Sequence, residues 1–235
     1  ASDVYKRQLF CTARCSVWNT GAMIPPVLCW THDGELVRRR ATGKLKELGA
    51  VMAADPITGA CGIGHTRWAT HGGVTEANAH PIMTADGAIA VVHNGIIENH
   101  HTLKKELMAN GHHFSSDTDT EVLCHLFAEE LPRHDALIDA TSAVLARIEG
   151  AYAFAVLSLA FPGQVAVARN ASPLAIGLGE GANYIGSDAM AMGGLTRRII
   201  FLKDGDFGVL TADHADIRGG DGLSLIHISE PTRPT

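Results

Sequence analysis

The chain has 235 residues, 46% of them hydrophobic, and a formal net charge of −6 at pH 7. That is enough apolar material for a proper core and the wrong charge for nucleic acid or an anionic membrane as partner. No apolar run reaches the length of a membrane span, and no secretory signal is visible.

Both ends read as something other than protein-coding sequence. Residues 1–8 are ASDVYKRQ and residues 223–235 are LSLIHISEPTRPT. Asp3–Gln8, back-translated as GAT GTG TAT AAG AGA CAG, has a reverse complement that encodes LSLIHI, the residues Leu223–Ile228. This resembles adapter read-through at both ends of one DNA fragment, so the two pieces are set aside as scars. Between the first scar and His32 the chain carries Cys11, Cys15, Cys29, two tryptophans and a Pro-Pro pair, with neither a helical nor a strand period.

Asp33-Gly34 predicts a turn into a short strand over Leu36–Ala41. Lys44–Ala54, with Leu45, Leu48 and Met52 on one side, predicts a short amphipathic helix. Gly59–His65 is small and apolar and predicts a buried strand. Ile89–His93 is a β-branched run ending at Asn94-Gly95, a pair that between apolar stretches is also the commonest tight-hairpin signal. Asn99 predicts the cap of a helix through Asn110, with Leu103 and Leu107 inward and Gly111 as terminator. Thr118-x-x-Glu121 has the form of a capping box ahead of Val122, Leu123, Leu126 and Leu131. A second helix is expected from about Asp135 to Glu149, ended by Gly150. Strands then alternate with turns: Ala151–Leu159, Gln164–Arg169, Leu174–Leu178, Asn183–Ile185, Ile199–Leu202 and Phe207–Leu210. Two helices between groups of antiparallel strands give an α+β layering. The adjacent pairs His100-His101 and His112-His113 flank a helix and read as solvated ends; no metal site is expected from them.

Three short pieces carry chemistry: His65–Gly72 (HTRWATHG), His93-Asn94-Gly95 and Thr118–Glu121. Arg67 offers a planar fork of donors suited to an α-carboxylate. Asp119 offers a counter-charge for an α-ammonium. Asn94 supplies a side-chain amide and Gly95 an unencumbered backbone N–H, the two donors from which an oxyanion hole is built. Singly, Arg67 reads as a surface ion pair, Trp68 as a boundary aromatic and Asp119 as a helix-dipole partner. Set in a Gly-flanked loop with Thr70 and His71, Arg67 and Trp68 read instead as a substrate-covering loop.

HTRWATHG, the following NAHP (Asn78–Pro81), HNGIIENH (His93–His100) and TDTEV (Thr118–Val122) together resemble the glutaminase domain of the glucosamine-6-phosphate synthases. These are glutamine:fructose-6-phosphate aminotransferases, a branch of the class II glutamine amidotransferases, and the resemblance runs from about His32 to about Asp216. It implies the four-layer αββα sandwich of the N-terminal-nucleophile hydrolases. It implies that Arg67 binds the glutamine carboxylate, that Thr70 and His71 contact the substrate, and that Trp68 lies at the pocket mouth. Asp119 would face the ammonium, while the Asn94 side chain and the Gly95 N–H would hold the oxyanion. In the family an N-terminal cysteine, with its own α-amine as base, attacks the side-chain amide of L-glutamine. Ammonia leaves, and water hydrolyses the thioester to glutamate. The ammonia passes to a C-terminal sugar-isomerase domain, outside this sequence, that makes glucosamine-6-phosphate from fructose-6-phosphate. No cofactor is implied; the full enzyme would be a cytoplasmic homo-oligomer.

The chain departs from the family at one place. An EYRGYDSAG motif is expected near residue 20 and is absent. With permitted codons, Trp18–Val27 read from the last base of the tryptophan codon gives EYRGYDSAG. Residues 9–30 therefore read as out-of-frame translation, with residues 31–222 as the amidotransferase domain. Cys61-Gly62-Ile63 mimics the family's CGI start, but Cys61 has no free amine of its own and reads as a small core residue. Cys61 and Cys124 then remain as reduced cytosolic thiols. Without its nucleophile the chain as written is expected to be inert, with residues 1 to about 30 and 223–235 irregular and poorly packed. Two alternatives stay open: another class II enzyme, of the amidophosphoribosyltransferase or asparagine synthetase type, and a non-catalytic glutamine-binding module.

Overall fold

Runs of small and β-branched residues that sit between two layers become strands buried on both faces, and the strand Ile89–Ile97 is the clearest case. In the computed structural model, residues 9–11, 26–32, 34–40, 45–56, 59, 61–66 and 78–229 are described. The first part of the chain gives β1 (Leu9–Cys11), β2 (Pro26–His32), β3 (Glu35–Arg40), α1 (Leu45–Ala54), β4 (Gly62–Thr66), β5 (Ile82–Met83) and β6 (Ile89–Ile97). Three helices follow: α2 (His100–Ala109), α3 (Glu121–Glu130) and α4 (Leu137–Leu145). The remainder is β7 (Gly150–Ser158), β8 (Val165–Asn170), β9 (Ala175–Leu178), β10 (Asn183–Gly186), β11 (Arg198–Phe201), β12 (Phe207–Leu210), β13 (His214–Arg218) and β14 (Ser224–Ser229).

The strands form two seven-stranded sheets, β11-β9-β10-β1-β4-β2-β3 and β14-β13-β12-β8-β7-β6-β5. Every paired strand is antiparallel, as expected for short strands joined by Gly, Pro and Asp turns. Successive β6 side chains take opposite sides. Val91 and Ile97 join Phe127, Leu123 and Phe154 in a core between the second sheet and α2–α4. Ala90 and Val92 join Ile63, Ile176 and Ile185 in a core between the two sheets. Helix α1, held through the buried Leu48, lies against β2 and β3 and begins the outer layer of the first sheet. The architecture is the expected α+β sandwich of layers.

The hairpin alternative at Asn94-Gly95 is not taken: β6 runs through the pair and pairs with β7 over its whole length, Gly95 opposite Tyr152. Several local expectations are corrected. Asn99 makes no side-chain cap on α2. Its amide instead donates to Arg147 O at 2.8 Å and accepts from Glu149 N at 3.1 Å, clamping the segment that leads into β7. Helix α2 does end as predicted, at Asn110 and then Gly111 with φ +94°, and Leu103 and Leu107 point inward. Helix α4 stops at Leu145, short of Glu149. Gly150 opens β7 rather than ending a helix, at φ +120°, where a Cβ would lie 2.3 Å from Ile96 O. Strand β13 is an element that the sequence pattern did not yield.

Of the terminal stretches, residues 1–8, 12–25 and 230–235 lie outside the described residues, and the described remainder is not irregular as expected. β1 fills the gap between β10 and β4, and β2 pairs along six residues with β3 and five with β4. β14 extends the second sheet along β13. Strand pairing is made by backbone N–H and C=O groups, which every non-proline residue carries. β1 and β2 lie inside the first sheet and β14 at the edge of the second, and such pairing holds a segment whatever its side chains.

Candidate active site

The HNG segment is delivered by β6, and strand alternation fixes what its side chains meet. His93 falls on the helix-facing side and Asn94 on the side facing the first sheet. Asn94 Oδ1 lies 3.0 Å from His65 Nε2, on β4 of the first sheet, so this bond crosses between the sheets. His65 is buried, Asn94 is partly exposed, and Gly95 and Ile96 are exposed, so the segment passes from core to surface within three residues. Gly95 has φ +118°, and a Cβ there would sit 2.0 Å from Ala151 O. No residue other than glycine fits that backbone beside β7.

Asp119 comes from the turn before α3. Its Oδ2 accepts the Ile97 N–H at 2.8 Å, tying the first turn of α3 to the end of β6. Asp119 Oδ1 has no hydrogen-bond partner among the described residues. The acidic group therefore stands at the same end of β6 as Asn94 and Gly95, with one oxygen uncommitted. Cys61 is a core residue, 1% exposed, as expected. Cys124 is likewise buried, and burial drives its thiol pKa well up, which makes it inert. Arg67, Trp68, Thr70 and His71 lie outside the described residues.

A buried polar network supports these groups. The His93 N–H donates to His80 Nδ1 at 3.3 Å, which leaves the His80 proton on Nε2. His80 Nε2 lies 3.2 Å from Thr120 Oγ1, and Thr120 Oγ1 lies 2.9 Å from His93 Nδ1. All three contacts are satisfied with both imidazoles neutral when His80 donates to the hydroxyl and the hydroxyl donates to His93. Burial lowers the His93 pKa, and the Asp119 carboxylate, 4.0 Å away, only partly opposes it. Asn78 Oδ1 accepts the Asp117 N–H at 2.9 Å. The NAHP segment thus clasps both the HNG strand and the TDTE turn.

The predicted capping box is not made. Thr118 Oγ1 pairs with Ser116 Oγ at 2.9 Å, and Thr120 is the residue at the α3 N-cap, without a side-chain cap bond. Glu121 turns back to Ser115 and Ser116 instead: its carboxylate accepts both backbone N–H groups and both hydroxyls, at 2.6–3.0 Å. Burial alone would raise its pKa. The His125 ring 3.7 Å away and the bonds from Ser116 and Ser115 outweigh that and hold it at about 2. The glutamate still organises the start of α3, but through the preceding loop.

His65, Asn78, His80 and Thr120 were given no role of their own by the sequence, and Glu121 only that of a helix cap. One signal was available: polar side chains set in apolar strands, such as His65 after Gly62-Ile63-Gly64, must find partners. Elsewhere, a cavity of about 360 Å³ is lined by Arg169, Leu174, Ser187, Asp188, Phe201 and Leu202 and shares no residue with the predicted site. Among the described residues, no three His, Cys, Asp or Glu side chains gather as metal ligands.

With this geometry in hand, comparison with known proteins is specific. Residues 65–193 match the family described as glutamine amidotransferase domain. The glutamine–fructose-6-phosphate aminotransferase (isomerizing) of Zymomonas mobilis is 51% identical over 195 residues, 81% of this chain and 31% of that protein. The enzyme of the same name from Shewanella oneidensis is 50% identical over 180 residues, 77% of this chain and 29% of that one. The chain thus spans about a third of the length of the curated relatives it matches. Among solved structures, glutamine phosphoribosylpyrophosphate amidotransferase from B. subtilis, complexed with ADP and GMP, superposes with a TM-score of 0.70 at 26% identity, covering 84% of this chain and 43% of that one. The structure of the allosteric regulatory enzyme of purine biosynthesis gives 0.72 at 26% identity, with the same coverage.

Proposed function

As the chain belongs to the glutamine amidotransferase domain family, we propose that its site binds L-glutamine and stabilises the oxyanion formed when the side-chain amide is attacked. The observation that carries this reading is the anchored Asn94 amide: with Oδ1 held by His65, Nδ2 is the atom left to meet an incoming oxyanion. Asp119 and Arg67 take the ammonium and carboxylate of the amino acid, Thr70 and His71 contact it, and Trp68 closes the mouth of the pocket. The nucleophile is a cysteine at the first position of the processed natural chain, where its own amine serves as base. In the longer enzyme the ammonia converts fructose-6-phosphate to glucosamine-6-phosphate on a second, sugar-isomerase domain, and the enzyme works as a cytoplasmic homo-oligomer. The similarity of this chain to two enzymes of that name at about half identity supports the assignment over the other class II amidotransferases.

We also infer from the codon match that residues 1–8 and 223–235 are adapter-derived and that residues 9–30 are translated out of frame, a reading against which the strand Leu9–Cys11, paired inside the first sheet, counts. The test follows directly. The chain as given should release no ammonia from glutamine. Restoring EYRGYDSAG and an N-terminus that begins at cysteine should give glutaminase activity, and Cys→Ala at that first position should abolish it. In the restored protein, Arg67→Ala should chiefly raise KM, because the carboxylate contact is made in ground and transition states alike. Asn94→Ala should lower kcat about 100-fold or more with little change in KM. Glutamine hydrolysis by the unrestored chain would overturn the proposed mechanism.

A further inference from the structure

We propose that His65 is the positioning residue of the oxyanion-binding amide, donating from Nε2 to Asn94 Oδ1 so that Asn94 Nδ2 faces the reacting carbonyl. The inference rests on the glutaminase reading above and adds to it a residue on the opposite sheet. An asparagine amide has two nearly isosteric orientations, and only one of them offers N–H to an oxyanion. Something must choose between them. The Asn94 carbonyl oxygen can only accept, so the 3.0 Å contact places the proton on His65 Nε2. His65 is suited to the task because it is 6% exposed and set in β4, which pairs with both β1 and β2. The His80 ring packs on the His65 ring at 4.6 Å between centroids, tilted by 48°, and limits its rotation. His80 in turn receives the backbone N–H of His93, the residue before Asn94. One end of the His65–His80 stack therefore holds the amide and the other holds the strand that carries it. A hydrogen bond of this kind favours one amide orientation by roughly tenfold, and preorganised donors are the larger part of oxyanion stabilisation.

Two experiments test the assignment. In the chain as it stands, ¹⁵N-resolved NMR of the histidine rings should show His65 as the Nε2–H tautomer, with that signal displaced in Asn94→Ala. A neutral His65 protonated on Nδ1 would overturn the proposal whatever the chain's activity. In the chain restored with its N-terminal cysteine, His65→Ala should lower kcat for glutamine about tenfold and change KM less than twofold. His65→Gln keeps an N–H donor at a similar reach and should recover most of that loss. In an Asn94→Ala background, His65→Ala should cost nothing further, because the amide it orients is gone. Equal loss in both backgrounds, or no recovery by glutamine, would make His65 a structural residue only. A restored chain with His65 intact that releases no ammonia would instead refute the glutaminase reading, and the tautomer measurement would still decide the role of His65.

Discussion

Replacing Glu121 by glutamine isolates the charge that organises the turn before α3. The carboxylate receives the N–H groups and hydroxyls of Ser115 and Ser116 within 3.0 Å, and the residue is 2% exposed. Glutamine keeps the shape but turns one oxygen into a donor, which then confronts a backbone N–H. A carboxyl whose pKa falls from 4.5 to about 2 on folding ties about 3 kcal/mol of stability to its charge, at about 1.4 kcal/mol per pH unit. The folded pKa lies below the unfolded one, so this contribution is complete above about pH 4.5 and is lost as pH falls toward 2. Urea unfolding of the parent chain and Glu121→Gln should therefore differ by about 3 kcal/mol at pH 7 and by less than half of that at pH 3. Equal stability at pH 7, or the same difference at both pH values, would refute the reasoning. Because Asp119 lies in the same turn, the variant should also weaken glutamine binding in the restored enzyme.

Gly95→Ala should destabilise the fold by about 3 kcal/mol in thermal or urea unfolding, since φ of +118° is closed to alanine and its Cβ would strike Ala151 O. Asp119→Asn keeps an oxygen for the Ile97 N–H but removes the ammonium's counter-charge. It should raise KM for glutamine about tenfold or more at little loss of stability, and NMR titration should show the His93 pKa lowered further, since the Asp119 charge is what opposes burial there. Asn183→Ala removes an amide that donates to Thr211 O and His214 O and accepts from Gly179 N, joining β10 to the β12–β13 turn of the other sheet. A loss of about 2 kcal/mol is expected in urea unfolding.

The candidate site was legible where function demands particular residue types in a short run. Asn94, Gly95 and Asp119 were singled out by the chemistry they offer, and the fold brings them to one end of β6. Periodicity placed α2, with Leu103 and Leu107 inward, and the run of strands from β7 to β12. What the sequence hid were partnerships outside the helix that each residue precedes or begins. Asn99 and Glu121 both looked like helix caps, because capping is the commonest local use of those residues. The fold gives them other partners, at Arg147 and Glu149 for the first and at Ser115 and Ser116 for the second. The roles of His65 and His80 depend on which layers meet, which no local pattern records. For the described parts of the two ends, the expectation of irregular backbone failed because it weighed side chains, whereas β1, β2 and β14 are held by backbone pairing.

The two-sided strand β6 also constrains how this chain can vary in length. His93 serves the helix layer through Thr120, and Asn94, one residue on, serves the facing sheet through His65. Inserting or deleting a single residue between Ile89 and Val92 would reverse the parity of everything beyond it. The amide would then turn toward α3, and the imidazole would enter the space between the sheets. Such a change would leave the motif spelled correctly in the gene and erase its meaning in the protein. The turns at Thr84–Ala88 and Leu159–Gln164 carry no such parity and are free to drift. Among homologues, length changes should therefore collect in those turns and be absent from the strand between them and the site, a pattern that an alignment of the family can test without any assay.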